Sequence, residues 1–442
     1  MFHRFKTSDD TLARVGRNSA WLFSSKGVSA ILSLAYLAIV TRTLGPAGFG
    51  VFILVVSAGQ MLAALFRVQT WQAIVQFGTP LLAKNDQAGF RQLAKRGLTI
   101  ETVGGVLACL LLYFLLPAAA ARFGLTTEIE QGLLIYGFFI LLAIRSTPTG
   151  ILRAHDRFRD NALGETAVPV TRMAGALVLV AIGPSITGFL IIWGISELVS
   201  TVLLWVLVWR SDNSPGQRDD IEDEIDAIQP MPLKGGQSFY GFLAATNFSH
   251  LLTTTRERFV VIIVGLFVGA SAAGLFRLAD QLANSINRLT EVFARPMFAE
   301  LSRLYGQSEK AELQSLFFRS LRISAISGAV IFTVLILAGK HIIYIMSGPE
   351  FVDAYPLLLL LAGATIIGLV AVGLEPLLQA AHRAAGAFVI RLLSLTVLGG
   401  LLYWLLPLYG VQGAALAMLV SAVVTAFLLL LMGSKVLRDL RK

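Results

Sequence analysis

The chain has 442 residues, 56% of them hydrophobic and 14% charged, with a formal net charge of +9 and a mean hydropathy of +0.73. That composition excludes a soluble globular or disordered chain and describes an integral membrane protein. A single cysteine, Cys109, excludes disulfides within the chain and any cysteine-cluster metal site.

The segment before Trp21 carries Thr7 and Asp10 as a capping pair, followed by Arg14 and Arg17. It reads as an amphipathic helix on the membrane surface rather than a cleaved signal. Beyond it, apolar runs of the roughly 20 residues needed to cross a bilayer as helix fall near 18–42, 50–77, 97–117, 130–152, 162–182 and 187–209. Six more fall near 238–267, 272–300, 316–338, 355–380, 386–406 and 412–434. Helices suit these runs because backbone polar groups have no water partner in lipid, and the alternation of a strand barrel is absent. The expectation is an all-α integral membrane protein of about twelve transmembrane helices in two six-helix lobes, residues 1–210 and 237–442.

Between the lobes, 211–236 holds Asp219, Asp220, Glu222, Asp223, Glu224 and Asp226 with three prolines, and reads as a cytoplasmic acidic linker. Lysines and arginines gather on alternate connections: Lys84, Arg91, Lys95 and Arg96 on one, then Arg153, Arg157 and Arg159, then Arg303 and Lys310, then the C-terminal Lys435, Arg438, Arg441 and Lys442. The other connections hold little beyond Arg42, Arg122 and Lys340. This asymmetry predicts that both termini are cytoplasmic. The net positive charge then follows from topology and requires no nucleic-acid partner.

The two halves also match each other in sequence. Gly45-Pro46-Ala47-Gly48-Phe49-Gly50-Val51-Phe52 overlays Gly269-Ala270-Ser271-Ala272-Ala273-Gly274-Leu275-Phe276 at an offset of 224. Weaker matches continue in the same order: Asp86–Arg96 with Glu309–Arg319, His155 with His382, and Gly188 with Gly413. An even number of helices per half makes them parallel repeats about an axis along the membrane normal, with a cavity expected between the lobes.

Ionisable groups inside spans are costly and mark pathways or packing partners. Arg277, Asp280, Asn284, Arg288, Glu291 and Arg295 recur at steps of three and four, which sets them on one helix face. The repeat offset carries that stripe onto Ser57, Gln60, Ala64, Arg67 and Trp71, and it pairs Lys26, Ser29 and Ser33 with His250, Thr253 and Glu257. Lys26, Gln60, Arg67, Arg258, Arg277, Asn284 and Arg288 are therefore candidates for a cationic, substrate-binding interior. Glu257, Asp280 and Glu291 are candidates for holding a coupling Na⁺ or H⁺. The plain reading stands beside each: Arg277 and Arg295 lie near span ends, where arginine reaches to headgroups, and neighbouring acid-base pairs can simply neutralise one another. Glu197, Arg172, Arg145 and Arg391 stand as isolated mid-span charges, as well suited to packing as to ligands. Pro148 and Pro376 mark helix breaks. Several fixed cations suit an anion, and arginine suits phosphate in particular. The chain has no G-x-x-x-x-G-K-[ST] loop, so it carries no such ATP site.

The stretch from Asn18 through Thr41-Arg42-Thr43-Leu44-Gly45-Pro46-Ala47-Gly48-Phe49-Gly50, the segment Ile151-Leu152-Arg153-Ala154-His155-Asp156-Arg157-Phe158, and Arg258-Phe259 through Gly274-Leu275-Phe276 carry a family likeness. Over nearly the whole chain the sequence resembles the polysaccharide transporter family, the Wzx-type flippases of the exporter superfamily that also holds MATE drug antiporters and lipid II flippases. The resemblance implies a MATE-like fold in the bacterial inner membrane and an undecaprenyl-diphosphate-linked oligosaccharide as substrate, flipped by alternating access. It implies no cofactor beyond a coupling ion, an acidic role for Glu257, and polysaccharide polymerase or chain-length machinery as partners. Two alternatives remain: a MATE-like cation or drug antiporter, which favours a more acidic cavity, and a membrane glycosyltransferase or polymerase, which would be an enzyme.

Overall fold

A computed structural model describes residues 4–212, 238–285, 310–370 and 384–439, with the side chains of 4–26 and of a few other helical residues outside the description. Among the described residues every regular element is helical. Among the described residues, eight stretches are long and apolar enough to cross a membrane. The first, Gly27–Ala83, has 57 residues, roughly 85 Å of helix against a hydrocarbon core of roughly 30 Å. It is broken at Gly45, whose φ of 64° is not helical. Val389–Gly433 is likewise broken at Gly410, with φ 56°. With both divided, and with Phe239–Phe267 and 270–285 added, the helices fall in order on the twelve predicted runs.

We number the helices α1 (4–44), α2 (46–66), α3 (Trp71–Ala83), α4 (Gln87–Phe123), α5 (Thr127–Leu142), α6 (Ser146–Ala154), α7 (Phe158–Ile182) and α8 (Ile186–Asp212). Then follow α9 (Phe239–Phe267), α10 (270–285), α11 (Lys310–Ser347), α12 (Tyr355–Val370), α13 (384–409) and α14 (411–439). The predicted N-terminal surface helix is helical from Arg4 and runs on into α1. Two predicted single spans are interrupted: 50–77 becomes α2 and α3 with a break at 67–70, and 130–152 becomes α5 and α6 with a break at 143–145. Pro148 lies in the first turn of α6, where its missing N–H costs nothing; Pro376 and the linker from 213 onward lie outside the described residues.

The chain forms two compact units. The first joins residues up to Leu44 with Leu54–Phe259, and the second joins Gly45–Ile53 with Val260–Lys442. In the first unit, glycines let helices approach closely, as small residues do in membranes. A Cβ at Gly164 of α7 would strike Leu204 of α8, and Ser200 donates to the Gly164 carbonyl at 2.7 Å. Large apolar side chains such as Phe114 and Ile182 stay exposed and face outward, where lipid replaces water.

In the second unit, the matched turns detected in the sequence pack against each other. A Cβ on Gly274 would meet the carbonyl of Pro46 and the backbone of Gly50, and one on Gly50 would meet the carbonyl of Ala270. Ala270 is the offset partner of Pro46, so the contacts are reciprocal, as a two-fold relation between repeats requires. Elsewhere in this unit α11 and α12 are pinned by Tyr355, whose hydroxyl donates to the Ile336 carbonyl at 2.8 Å. Phe351 is buried against Phe49, with ring centroids 6.0 Å apart.

Among the described residues, the glycines with positive φ fall into repeat pairs: Gly45 with Gly269, Gly124 with Gly348, and Gly183 with Gly410. The duplication therefore kept the helix-ending turns, which only glycine enters without strain.

Candidate functional site

In the first unit, described polar residues that lie deep in apolar helices gather around its two helix breaks. A helix interrupted inside a membrane leaves carbonyls and N–H groups without partners on either side of the break. Here each end is met by the opposite charge. On the C-terminal side of α5, the Arg67 guanidinium donates through one nitrogen to the carbonyls of Ile140 (2.8 Å) and Ala143 (3.2 Å). The Trp205 indole donates to the carbonyl of Ile144 at 3.1 Å.

On the N-terminal side of α6, Glu101 of α4 takes all the bonds. One carboxylate oxygen accepts from the backbone N–H of Arg145 and Ser146, and the other from the N–H and hydroxyl of Thr147, all at 2.9–3.0 Å. Glu101 is 1% exposed. A carboxylate at a helix N-terminus and a guanidinium at a C-terminus both oppose the helix dipole. The break in the α2–α3 crossing sits beside this one: Thr70 meets the Thr147 hydroxyl at 3.1 Å, and the Trp71 N–H donates to the Ser146 hydroxyl at 2.9 Å.

The same break is clasped by α9. The Asn247 side chain accepts from the Gln69 N–H at 2.6 Å and donates to the Gln69 carbonyl at 3.2 Å, and the Gln69 amide meets the His250 ring at 2.8 Å. Beyond the breaks, Arg153 of α6 lies over the Trp71 ring at 4.5 Å and pairs with Glu165 at 2.9 Å, which ties α3, α6 and α7 together.

A second polar group adjoins the first. Glu197 of α8 receives Arg145 at 2.5 Å and Arg172 of α7 at 2.9 Å, and Arg172 also donates to Ser196 at 3.0 Å. These charges, isolated in the sequence, form one cluster. Arg172 stacks over Trp193 at 4.1 Å, and Trp193 has Tyr36 and Tyr136 as ring neighbours, each 6.2 Å away. Gln60 lies beside the Tyr136 phenol, Arg67 is in the field of Glu197, and Arg258 is in that of Tyr136. Among the described side chains of this group, Arg67, Arg145, Arg172 and Arg258 outnumber Glu101 and Glu197 by two.

Within this group the buried atoms Tyr36 Oη and Arg145 Nε have no hydrogen-bond partner among the described residues. Each such atom, left dry, costs about 1–3 kcal/mol.

The predicted site residues thus divide. Gln60, Arg67 and Arg258 belong to the first unit's polar interior. Arg277, Asp280 and Asn284 are joined in the second: Asp280 accepts from Arg277 at 2.6 Å and from Asn284 at 2.7 Å. Lys26 and Glu257 sit on α1 and α9 with side chains outside the description, and Arg288 and Glu291 lie outside the described residues. The reading missed Glu101 altogether, a lone carboxylate in an apolar run whose charge was itself the available signal.

The sequence model of a family described as polysaccharide biosynthesis protein matches residues 15–302. Inner membrane protein YghQ of Escherichia coli (strain K12) is 29% identical over 351 residues, 79% of this chain and 97% of that protein. Among solved structures, a multidrug resistance MATE family transporter of the MOP superfamily, inward-facing, superposes with a TM-score of 0.70 at 16% identity, covering 93% of this chain and 95% of that one. Lipid II flippase MurJ in an inward closed conformation gives 0.69 at 13% identity, covering 95% and 89%. A MOP superfamily transporter from Pyrococcus furiosus, described as having a binding pocket of reverse polarity, gives 0.59 at 18% identity, covering 97% and 96%. At such identities these structures speak for the fold, which is that of the MOP superfamily. The chain belongs to the polysaccharide biosynthesis protein family.

Proposed function

We propose that this protein is a secondary transporter that flips an undecaprenyl-diphosphate-linked oligosaccharide from the inner to the outer leaflet of the bacterial inner membrane. The observation that carries the reading is the surplus of arginine in the membrane interior of a chain of this family. Fixed cations match a diphosphate, and an interior with more cations than carboxylates opposes a cationic drug. In this reading Lys26, Arg67, Arg258, Arg277, Asn284, Arg288 and Gln60 serve the sugar-diphosphate while the lipid tail stays in the bilayer. Broken helices at such depth are the usual framework of transporter sites.

Both termini are cytoplasmic in this scheme, the two lobes alternate access, and the chain performs no covalent chemistry. Energy comes from an ion gradient, the membrane potential or the substrate gradient, with Glu257, Asp280 and Glu291 as coupling residues for Na⁺ or H⁺. The flipped product would pass to a polymerase and its chain-length machinery.

The test is translocation of a fluorescent undecaprenyl-diphosphate oligosaccharide in proteoliposomes. Wild type flips the lipid, and Lys26→Ala and Arg288→Ala flip it at least tenfold more slowly. An inactive wild type that exports cationic drugs would replace this reading with a MATE-like antiporter.

A further inference from the structure

Helix α4 divides lengthwise into two faces. One is buried: Phe90, Leu93 and Glu101 lie inside the first unit, and a Cβ at Gly97, Gly104 or Gly105 would meet the Ile74 side chain, the Phe66 carbonyl or the Leu141 carbonyl. The other is exposed along its length. At 100° per residue, Lys95, Arg96, Val103, Val106, Leu107 and Leu110 share a sector about 120° wide on that face. The stripe is cationic in the third turn of the helix, and the four aliphatic side chains that follow are each about half exposed.

Membrane orientation asks only for basic residues in the connections. Lys95 and Arg96 lie inside the helix instead, and among the described residues neither has a carboxylate partner. The α6–α7 turn beside them differs. Its His155 ring stands edge-on to Phe90 of α4 at 5.0 Å, and its arginines are paired, Arg153 with Glu165 at 2.9 Å and Arg157 with Asp160 at 2.6 Å. From Arg96 to Arg122 the helix spans roughly 39 Å, against about 30 Å of hydrocarbon, and its exposed face carries no charge between them. Lys95 and Arg96 thus stand at headgroup depth, directly over an aliphatic strip. A cation pair without counter-charge attracts an anion, and arginine suits phosphate. The strip faces outward, so an occupant with apolar chains reaches it sideways from the bilayer.

We propose that the exposed face of α4 is a binding site for an anionic glycerophospholipid, with its phosphate held by Lys95 and Arg96 and its acyl chains laid along Val103, Val106, Leu107 and Leu110. The site lies outside the polar interior of the first unit. It is independent of the flippase reading, because binding is read on the resting protein.

The test titrates fluorescent phosphatidylglycerol onto the full-length protein in detergent and follows anisotropy. Each charge removed should weaken binding about fivefold, so Lys95→Gln and Arg96→Gln together should weaken it about 25-fold. The exchange Lys95→Arg with Arg96→Lys should keep most of the affinity, and Arg122→Gln, at the other end of α4, should leave it unchanged. Phosphatidylcholine that binds as tightly, a double glutamine variant that binds like wild type, or an equal loss in Arg122→Gln would each overturn the proposal. So would a preference for undecaprenyl diphosphate over phosphatidylglycerol, which would assign the face to the substrate. Should the double variant fail to fold, the salt dependence of wild type decides: affinity must fall as sodium chloride rises, and a salt-independent affinity sinks the idea.

Discussion

The helix pairs α7–α8 and α13–α14 occupy the same place in the two repeats, yet they are joined by different chemistry. Between α7 and α8 the link is ionic, Arg172 to Glu197 and Ser196. Between α13 and α14 it is a ladder of hydroxyls, Ser394 meeting Ser421 at 3.1 Å and Thr425 at 2.5 Å. The repeat offset of 224 carries Glu197 onto Ser421. The two repeats thus join equivalent helix pairs by an ion cluster in one case and by hydroxyls in the other. A hydroxyl ladder satisfies itself and asks nothing of its surroundings, whereas a buried carboxylate requires cations and a polar neighbourhood.

Substitutions at these positions sharpen that contrast. The largest effect is expected at Glu197: Glu197→Leu strands Arg145 and Arg172 without their shared counter-charge and should cost about 3–5 kcal/mol. It would show as a steep loss of folded protein in detergent unfolding. Next comes Glu101→Ala, which leaves three backbone N–H groups and the Thr147 hydroxyl unpaired at the helix break. About 3 kcal/mol is expected, with partial recovery in Glu101→Gln, because the amide keeps one accepting oxygen. In the second unit, Gly50→Ala places a methyl against the Ala270 carbonyl and should cost about 1–3 kcal/mol, measured by the same unfolding. The smallest change is expected at the hydroxyl ladder, where Ser421→Ala should cost about 1 kcal/mol. Equal losses at Glu197 and Ser421 would erase the distinction between the two helix pairs.

The glycine turns were legible because their signal is local. Gly45 and Gly269 are required by backbone dihedrals at their own positions, so the constraint is written where it acts, and the repeat comparison finds it. The helix breaks were half legible. Pro148 pointed to an interruption, but the break lies a few residues earlier at 143–145, since proline is at home in the first turn of the helix that follows. The matching break at 67–70 contains no proline at all and rests on contacts from Ser146, Thr147 and Asn247. The polar stripe of the second span runs through Gln60 to Arg67, and the Arg67 guanidinium turns to the carbonyls at the end of α5, a partner 73 residues away in sequence.

Hydropathy and length alone dictated a twelve-helix membrane protein, because the bilayer imposes the same burial and hydrogen-bonding demand on every span. Internal similarity alone showed the duplication, and the paired turns follow from dihedral limits that act residue by residue. Which charges meet was decided only by the tertiary structure. Arg145, Arg172 and Glu197 look isolated along the chain, and Glu101 looks misplaced, because a Coulomb interaction depends on distance in space. Packing of the helices brings these groups within 3 Å, and sequence separation carries no trace of it.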